Sequence, residues 1–252
     1  MSSGIVSDFA DEASRLVQKA QEKGIIIRVM GATVIRKHCP KSLHLHMALK
    51  RELTDIDFMT YGKYNHMIKP LFVELGYAAD ERFNAYFGAT RQQYKDAANK
   101  RLADVFFDRL EMCHTVDFRG RLELDSPTIT LADFLLEKMQ IVQLNEKDKI
   151  DTLVLLREHE IGASDRETMN AEYIAKVLAK DWGFYYTVTT NLAKVKEYAQ
   201  SVLSVEDGPD VASKVDRLIE WIEKEPKTTG WKMRARIGTK KKWYAEIEEV
   251  VR

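Results

Sequence analysis

Residues 25–32, with the sequence IIIRVMGA, join a run of β-branched side chains to a glycine. β-Branched residues favour strands, so a run of this length that stops at a glycine predicts a buried strand and then a turn. A short helical pattern follows, to about Lys37. A glycine at such a junction allows close approach of a triphosphate to the backbone, and a helix N-terminus attracts the negative charge. Alone, however, Gly31 is weak evidence for a site.

A second strand is predicted at residues 54–59, TDIDFM, where apolar and polar residues alternate. Strand side chains alternate between two faces, so Asp55 and Asp57 share a face about 7 Å apart along the strand. Two neighbouring carboxylates repel each other unless a cation lies between them. An isolated Asp-x-Asp is more often part of a solvated strand face, and only its combination with other features favours a site.

A third carboxylate lies on a later predicted strand. The pattern over residues 83–107 predicts a β-meander that includes the strands Arg91–Lys95 and Arg101–Asp108, joined by a polar turn. If the strand of Asp104 lies beside that of Asp55 and Asp57, the three carboxylates converge on a site for one or two Mg²⁺ ions. Such metals activate an attacking hydroxyl and stabilise a leaving pyrophosphate.

These features together resemble the nucleotidyltransferase superfamily with the DNA polymerase β-like fold. That family has a Gly-Gly or Gly-Ser turn, a strand Asp-x-Asp and a third strand carboxylate. The matching segments here are RVMGA at residues 28–32, TDIDF at 54–58 and LADVF at 102–106. One departure is Ala32, which keeps the backbone N–H but lacks the hydroxyl of the family's serine.

The resemblance implies transfer of a nucleoside monophosphate from a nucleoside triphosphate to a hydroxyl or phosphate acceptor. Asp55 and Asp57 would be the metal ligands, and Asp104 would be the third ligand or the base. The cofactor would be Mg²⁺. The acceptor could be RNA, a protein side chain or a small molecule. The alternative is a non-catalytic nucleotide- or RNA-binding module that keeps the same fold, as the Ala32 departure suggests.

Two later segments are similar to a motif of the toxin nucleotidyltransferases of abortive-infection type toxin–antitoxin systems. They are LLEKMQ at residues 135–140 and KDKID at residues 147–151, and the resemblance covers roughly the first 155 residues. It implies that Lys138 contacts phosphate and that a cognate antitoxin protein is a partner. The competing interpretation of Lys138 is a surface lysine whose stem lies along a helix. The expected nucleotide-binding residues are Gly31, Ala32, Arg51 and Lys138.

The composition of the 252 residues is that of a globular protein. It has 39 Lys and Arg against 39 Asp and Glu, so net charge offers no argument for nucleic acid or an anionic membrane. Two cysteines and no secretory pattern at the start favour a reducing, cytoplasmic setting. No apolar run approaches the roughly 20 residues of a membrane-spanning helix, so we expect no membrane contact.

The fold class expected from these patterns is α+β, with a small mixed sheet flanked by helices and followed by a helical domain. The predicted nucleotidyltransferase-like domain covers residues 1–158 and the mostly helical domain residues 159–252. In the second domain, Asn170 is predicted to cap one helix and Asn191 another, which runs to about Leu203. A third helix is predicted to open at Gly208.

A basic segment near the C-terminus is predicted to contact RNA. Residues 230–244 contain six Lys and Arg and no acidic residue, and apolar and basic residues alternate in WKMRARI at 231–237. An extended conformation would bury the apolar residues and present Lys232, Arg234 and Arg236 along one edge. The competing interpretation is a solvated surface neutralised within the chain by Glu246, Glu248 and Glu249.

Overall fold

The computed structural model describes residues 8–246, which fall into two compact units. The first contains the described residues up to Pro40, together with Glu52–Leu110 and Asp117–Thr130. The second contains Lys41–Arg51, Glu111–Val116 and the described residues from Leu131 onward. The predicted boundary at 158 and 159 lies inside the second unit.

Helices and strands alternate in the first unit, and helices dominate the second. The helices are α1 (Phe9–Glu22), α2 (Thr33–His38), α3 (Leu43–Ala48), α4 (Asn65–Glu74), α5 (Glu81–Phe87), α6 (Leu131–Met139), α7 (Glu146–Glu158), α8 (Ala171–Leu178), α9 (Trp182–Val202), α10 (Asp207–Lys224) and α11 (Thr229–Ile237). The strands are β1 (Ile27–Met30), β2 (Asp55–Thr60), β3 (Ala78–Ala79), β4 (Arg91–Asp96), β5 (Arg101–Phe107), β6 (Arg109–Glu111), β7 (Thr115–Asp117), β8 (Glu160–Gly162) and β9 (Thr168–Asn170).

The first unit is built on a five-stranded mixed sheet with the order β1-β2-β5-β4-β3. Strands β2 and β5 are parallel, and the other neighbouring pairs are antiparallel. The α+β class and the mixed sheet are therefore confirmed. The register places Asp57 opposite Asp104 on the two parallel strands.

The core of the first unit lies where α1 and α4 cover the sheet. Leu16 and Val17 of α1 are buried with strand residues of β1, β2 and β5. The Phe72 ring of α4 stacks on Tyr94, with 4.3 Å between ring centroids, and meets Phe58 edge-on. Helix α4 begins at Asn65, before its internal Pro70. This packing fixes the positions of strands β2 and β5, which carry Asp55, Asp57 and Asp104.

Residues 81–87 form helix α5, so the predicted meander is wrong at its start. Asp80 caps this helix, because its side chain accepts a hydrogen bond of 3.1 Å from the Phe83 N–H. The hairpin of β4 and β5 that follows agrees with the prediction.

The second unit is largely helical, as predicted for the C-terminal part of the chain. Asn170 caps α8 by accepting from the Tyr173 N–H, and one stripe of α10 is buried. The predicted cap at Asn191 is wrong, because α9 is continuous and is capped by Asp181. Asn191 lies inside α9 and donates hydrogen bonds to the carbonyls of Met139 and Ile141. The short parallel pair β8–β9 was not predicted.

Within the described part of the chain, every helix is too short or too polar to cross a membrane.

Candidate metal and nucleotide site

Three carboxylates meet on one face of the first unit's sheet. Asp55 and Asp57 lie two residues apart on β2 and therefore project on the same side. Asp104 is on the neighbouring parallel strand β5, directly opposite Asp57. One carboxylate oxygen from each of the three lies within 4.8 Å of the others. The predicted convergence of these three residues is present in the structure.

The triad of Asp55, Asp57 and Asp104 has the donor chemistry of a hard divalent cation. Mg²⁺ and Ca²⁺ prefer oxygen ligands, and carboxylates are the protein groups most often used. Asp104 is 1% exposed, and bringing several carboxylates together in a partly buried place is unfavourable without compensating positive charge. The residues present therefore fit a bound Mg²⁺.

Gly31 occupies the predicted turn between β1 and α2, and no other residue fits there without strain. Its φ is +68°, a conformation that side chains other than glycine rarely adopt. A Cβ at this position would lie 2.6 Å from Oδ2 of Asp57. The turn backbone is thus packed directly against one of the triad carboxylates. Ala32 follows at the N-cap of α2 and makes no side-chain capping hydrogen bond.

Arg91 is a residue of this site that the sequence analysis missed. Its Nε and Nη2 donate to the two oxygens of Asp104 at 3.2 and 2.9 Å, a bidentate ion pair. The guanidinium lies over the Phe106 ring, with 4.8 Å between Cζ and the ring centroid. Strand register explains the contact. Gln93 is opposite Asp104 in the hairpin, which places Arg91 diagonally across from it, within reach of a long side chain.

The other two predicted nucleotide-binding residues, Arg51 and Lys138, lie in the second unit and share one carboxylate. Arg51 donates to both oxygens of Asp151 at 2.9 and 3.0 Å. Lys138 Nζ is 3.0 Å from Oδ2 of Asp151 and 3.2 Å from Oδ1 of Asp148. Arg51, Lys138 and Asp151 are all buried. The interpretation of Lys138 as a surface lysine is therefore wrong. Their contact with a nucleotide stays a prediction.

The charges of this buried cluster support each other. Burial by itself would raise the pKa of the Asp151 carboxyl, but Lys138, His46 and Arg51 hold it well below its usual value. Burial would likewise lower the pKa of Lys138, but Asp151, Asp148 and Glu137 raise it above the usual value. Asp151 and Lys138 are therefore both charged over the whole neutral range.

The predicted extended RNA-binding edge is wrong, because residues 229–237 form helix α11. Thr228 caps the helix by accepting from the Trp231 N–H. The apolar residues predicted to be buried are not, since Met233 is 58% and Ile237 45% exposed.

Of the three predicted cations, Lys232 and Arg236 are exposed. Arg234 instead lies over the Trp182 ring and donates to the carbonyls of Gly238 and Lys241. Lys242 pairs with Glu246, whereas Glu248 and Glu249 lie outside the described residues. RNA contact by this segment remains a prediction.

Aromatic residues cluster at the start of α9, within the second unit. Phe184 is buried and stacks on His114, which burial holds at a pKa of about 4. His114 Nε2 and Trp243 Nε1 both contact the Thr187 hydroxyl, at 2.8 and 3.1 Å. His114 is therefore a buried packing residue.

No protein-family model, curated protein or solved structure matches this chain. The geometry of the triad is consequently the principal ground for a functional conclusion.

Proposed function

We propose that this chain is a metal-dependent nucleotidyltransferase that moves a nucleoside monophosphate from a nucleoside triphosphate to an acceptor. The observation that carries the proposal is the triad of Asp55, Asp57 and Asp104, which comes from two parallel strands. One carboxylate oxygen of each residue lies within 4.8 Å of those of the other two. The tight glycine turn against Asp57 supports it.

In this proposal Asp55 and Asp57 hold Mg²⁺ and Asp104 completes the site. When bound, the ion neutralises charge on the triphosphate and on the departing pyrophosphate. The acceptor oxygen bonds to the α-phosphorus, the bond from that phosphorus to the pyrophosphate oxygen breaks, and the acceptor's proton is lost to a base. Gly31 lets the turn backbone pack directly against the Asp57 carboxylate, since a side chain at this position would lie 2.6 Å from Oδ2 of Asp57.

The partners in this proposal are a nucleoside triphosphate, an acceptor such as RNA and, as the toxin resemblance implies, a cognate antitoxin. The sequence motifs leave the acceptor open between RNA, protein and small molecule. The first assay therefore has to offer more than one acceptor.

The test is incubation of the chain with each α-³²P-labelled nucleoside triphosphate and Mg²⁺, with total RNA and with the protein alone. We expect label on one acceptor and release of pyrophosphate. Asp57→Asn should abolish transfer, because it removes one negative charge from the ligands of the ion. The position of the phosphates depends on that ion. Asp11→Asn, which changes an exposed aspartate on α1, is the matched control.

Binding of nucleotide without any pyrophosphate release would instead identify a non-catalytic binding module. Undiminished transfer by the Asp57→Asn variant would remove the triad from the mechanism.

A further inference from the structure

Arg91 is a cation beside the triad whose hydrogen-bonding capacity is only partly used. A guanidinium has five N–H donors, and Arg91 gives two of them, on Nε and Nη2, to the oxygens of Asp104. Among the described residues 8–246, none accepts a hydrogen bond from the other three donors. The Arg91 side chain is 22% exposed, so a ligand from solvent can reach it.

Arg101 of the same hairpin shows the contrasting case of an arginine used in folding. It also pairs with an aspartate, Asp96, through Nε and Nη2. Its Nη1 donates to the Asp8 carbonyl at 3.4 Å, and its side chain is only 3% exposed. Each nitrogen of the Arg101 guanidinium therefore donates within the protein, whereas Arg91 keeps donors that folding does not use.

Two aromatic rings restrict the position of the Arg91 guanidinium. Phe106 lies directly opposite Arg91 in the hairpin, and its ring centroid is 4.8 Å from Cζ. The Phe83 ring of α5 lies 5.5 Å from the same atom. Asn84 fixes this helix to β4, because it exchanges two hydrogen bonds with the Gln93 backbone. Aromatic faces attract cations at such distances, so the unused donors have a defined direction before any ligand binds.

Asp104 connects this guanidinium to the ion site. One of its oxygens lies within 4.8 Å of oxygens of Asp55 and Asp57, and both of its oxygens accept from Arg91. A carboxylate has enough lone pairs to accept two such hydrogen bonds and still bind an ion. A phosphate bound to an ion in the triad would therefore lie next to the guanidinium.

The charges of the site also favour a contact between Arg91 and phosphate. The triad carries three carboxylates, and Arg91 offsets the charge of one of them. A bound Mg²⁺ would offset the other two, which leaves the negative charge of a triphosphate to be met by hydrogen-bond donors. A planar guanidinium suits that task, because its donors match the spacing of phosphate oxygens.

We propose that Arg91 binds the triphosphate, with its unused N–H groups donating to phosphate oxygens while Asp104 holds the guanidinium in position. The inference rests on the proposed function, since that function supplies a triphosphate bound to an ion in the triad. It gives Arg91 a direct contact with the substrate in addition to its ion pair with Asp104.

The test uses inorganic tripolyphosphate, which has the phosphates of the substrate but neither sugar nor base. It is titrated into the full chain in excess Mg²⁺ by isothermal titration calorimetry. We expect Arg91→Lys to bind it about tenfold more weakly than wild type, because an ammonium paired with Asp104 lacks the fork that also reaches phosphate. Arg91→Gln, which has no charge, should bind it at least as weakly as Arg91→Lys.

Arg101→Lys is the matched control, since it makes the same change in the other ion pair of the hairpin. It should bind tripolyphosphate as wild type does. Circular dichroism checks that each variant is folded.

A second measurement separates a phosphate contact from an effect on the ion. Binding of Mn²⁺ alone, followed by electron paramagnetic resonance, should be no weaker in Arg91→Lys than in wild type. If the affinities for Mn²⁺ and tripolyphosphate fall by the same factor, Arg91 acts only through Asp104 and the proposal is overturned.

The proposal is also overturned if wild type does not bind tripolyphosphate or if both Arg91 variants bind it as wild type does. A loss confined to titrations with single-stranded RNA would overturn it as well, since the guanidinium would then contact the acceptor. Failure of the transferase assay is a separate result. Tripolyphosphate binding that requires Arg91 would support the inference even in a chain that transfers no label.

Discussion

At the scale of single residues, Arg91 has the most direct influence on the triad. It neutralises the buried Asp104 carboxylate, so it provides positive charge that a bound cation would also provide. We expect Arg91→Gln to lower the free energy of unfolding by about 1–3 kcal/mol, because Asp104 would lose its charged partner. Added Mg²⁺ should stabilise this variant more than wild type, as the ion would replace the lost charge.

Thermal unfolding with and without Mg²⁺ measures both effects. Arg101→Gln is the matched control, since it breaks another buried ion pair of the same hairpin, with Asp96 at 3.0 Å. That variant should be destabilised without gaining sensitivity to Mg²⁺. Equal responses of both variants to Mg²⁺ would show that Arg91 and the ion do not share Asp104.

A second prediction at this scale concerns Gly31, and Gly24 provides its control. Both glycines have positive φ, +68° and +72°, but only at Gly31 would a Cβ meet another atom, Oδ2 of Asp57. Gly24→Ala should therefore cost only the backbone strain, about 1–2 kcal/mol. Gly31→Ala should cost more and should also displace the Asp57 carboxylate.

The readouts are urea unfolding and binding of Mn²⁺ followed by electron paramagnetic resonance. We expect only Gly31→Ala to weaken Mn²⁺ binding. If Gly24→Ala weakens it equally, the effect comes from general loss of stability and the close approach to Asp57 is unimportant.

At the scale of elements, the sequence predicted the strands that carry the triad. β2 has a clear alternating pattern and the turn before β5 is polar, so Asp55, Asp57 and Asp104 could each be placed on a strand. That the two strands are neighbours was only a condition in the sequence analysis, and the parallel pairing of β2 with β5 fulfils it. Arg91 could not be found in this way. Its contact with Asp104 depends on the hairpin register, which the turn geometry sets and the apolar pattern does not reveal.

Helices α5 and α11 were missed for related reasons. Aromatic residues favour strands, so Phe83 and Phe87 suggested a strand, although Asp80 is a residue type that commonly caps a helix. In α11 the alternation of apolar and basic residues suggested an extended edge. The helix forms nevertheless, because Thr228 caps it and Arg234 packs over Trp182. Tertiary contacts outweighed the local pattern in that segment.

Helix α11 leads to a revised prediction for RNA binding. Since Arg234 is used in packing, only Lys232 and Arg236 of the three cations remain for phosphate. Lys232→Gln with Arg236→Gln should weaken binding of single-stranded RNA and reduce the salt dependence by up to about two phosphate contacts. The control is Lys176→Gln with Lys224→Gln, two exposed lysines on α8 and α10. An unchanged salt slope in the first variant would exclude α11 as the RNA surface.

At the scale of the whole molecule, the buried charge cluster of the second unit bears on stability. Asp151 is paired with Arg51 and Lys138 and has no exposed surface. Removing one member of a buried ion pair leaves the other charges uncompensated, which typically costs about 3–5 kcal/mol. We expect Asp151→Asn to lose that much in urea unfolding at neutral pH. Asp148→Asn, which removes a single 3.2 Å contact with Lys138, should lose far less.

The pH dependence of stability follows from the same cluster. The pKa of Asp151 is lower in the folded chain than its ordinary value of 3.8. The folded state therefore gains stability from this carboxylate above about pH 4, and the gain is lost as the pH falls below that value. The difference in unfolding free energy between wild type and Asp151→Asn should accordingly be largest at neutral pH and shrink in acid. A difference that stays constant from pH 7 to pH 3 would mean that the ionised carboxylate is not what stabilises the second unit.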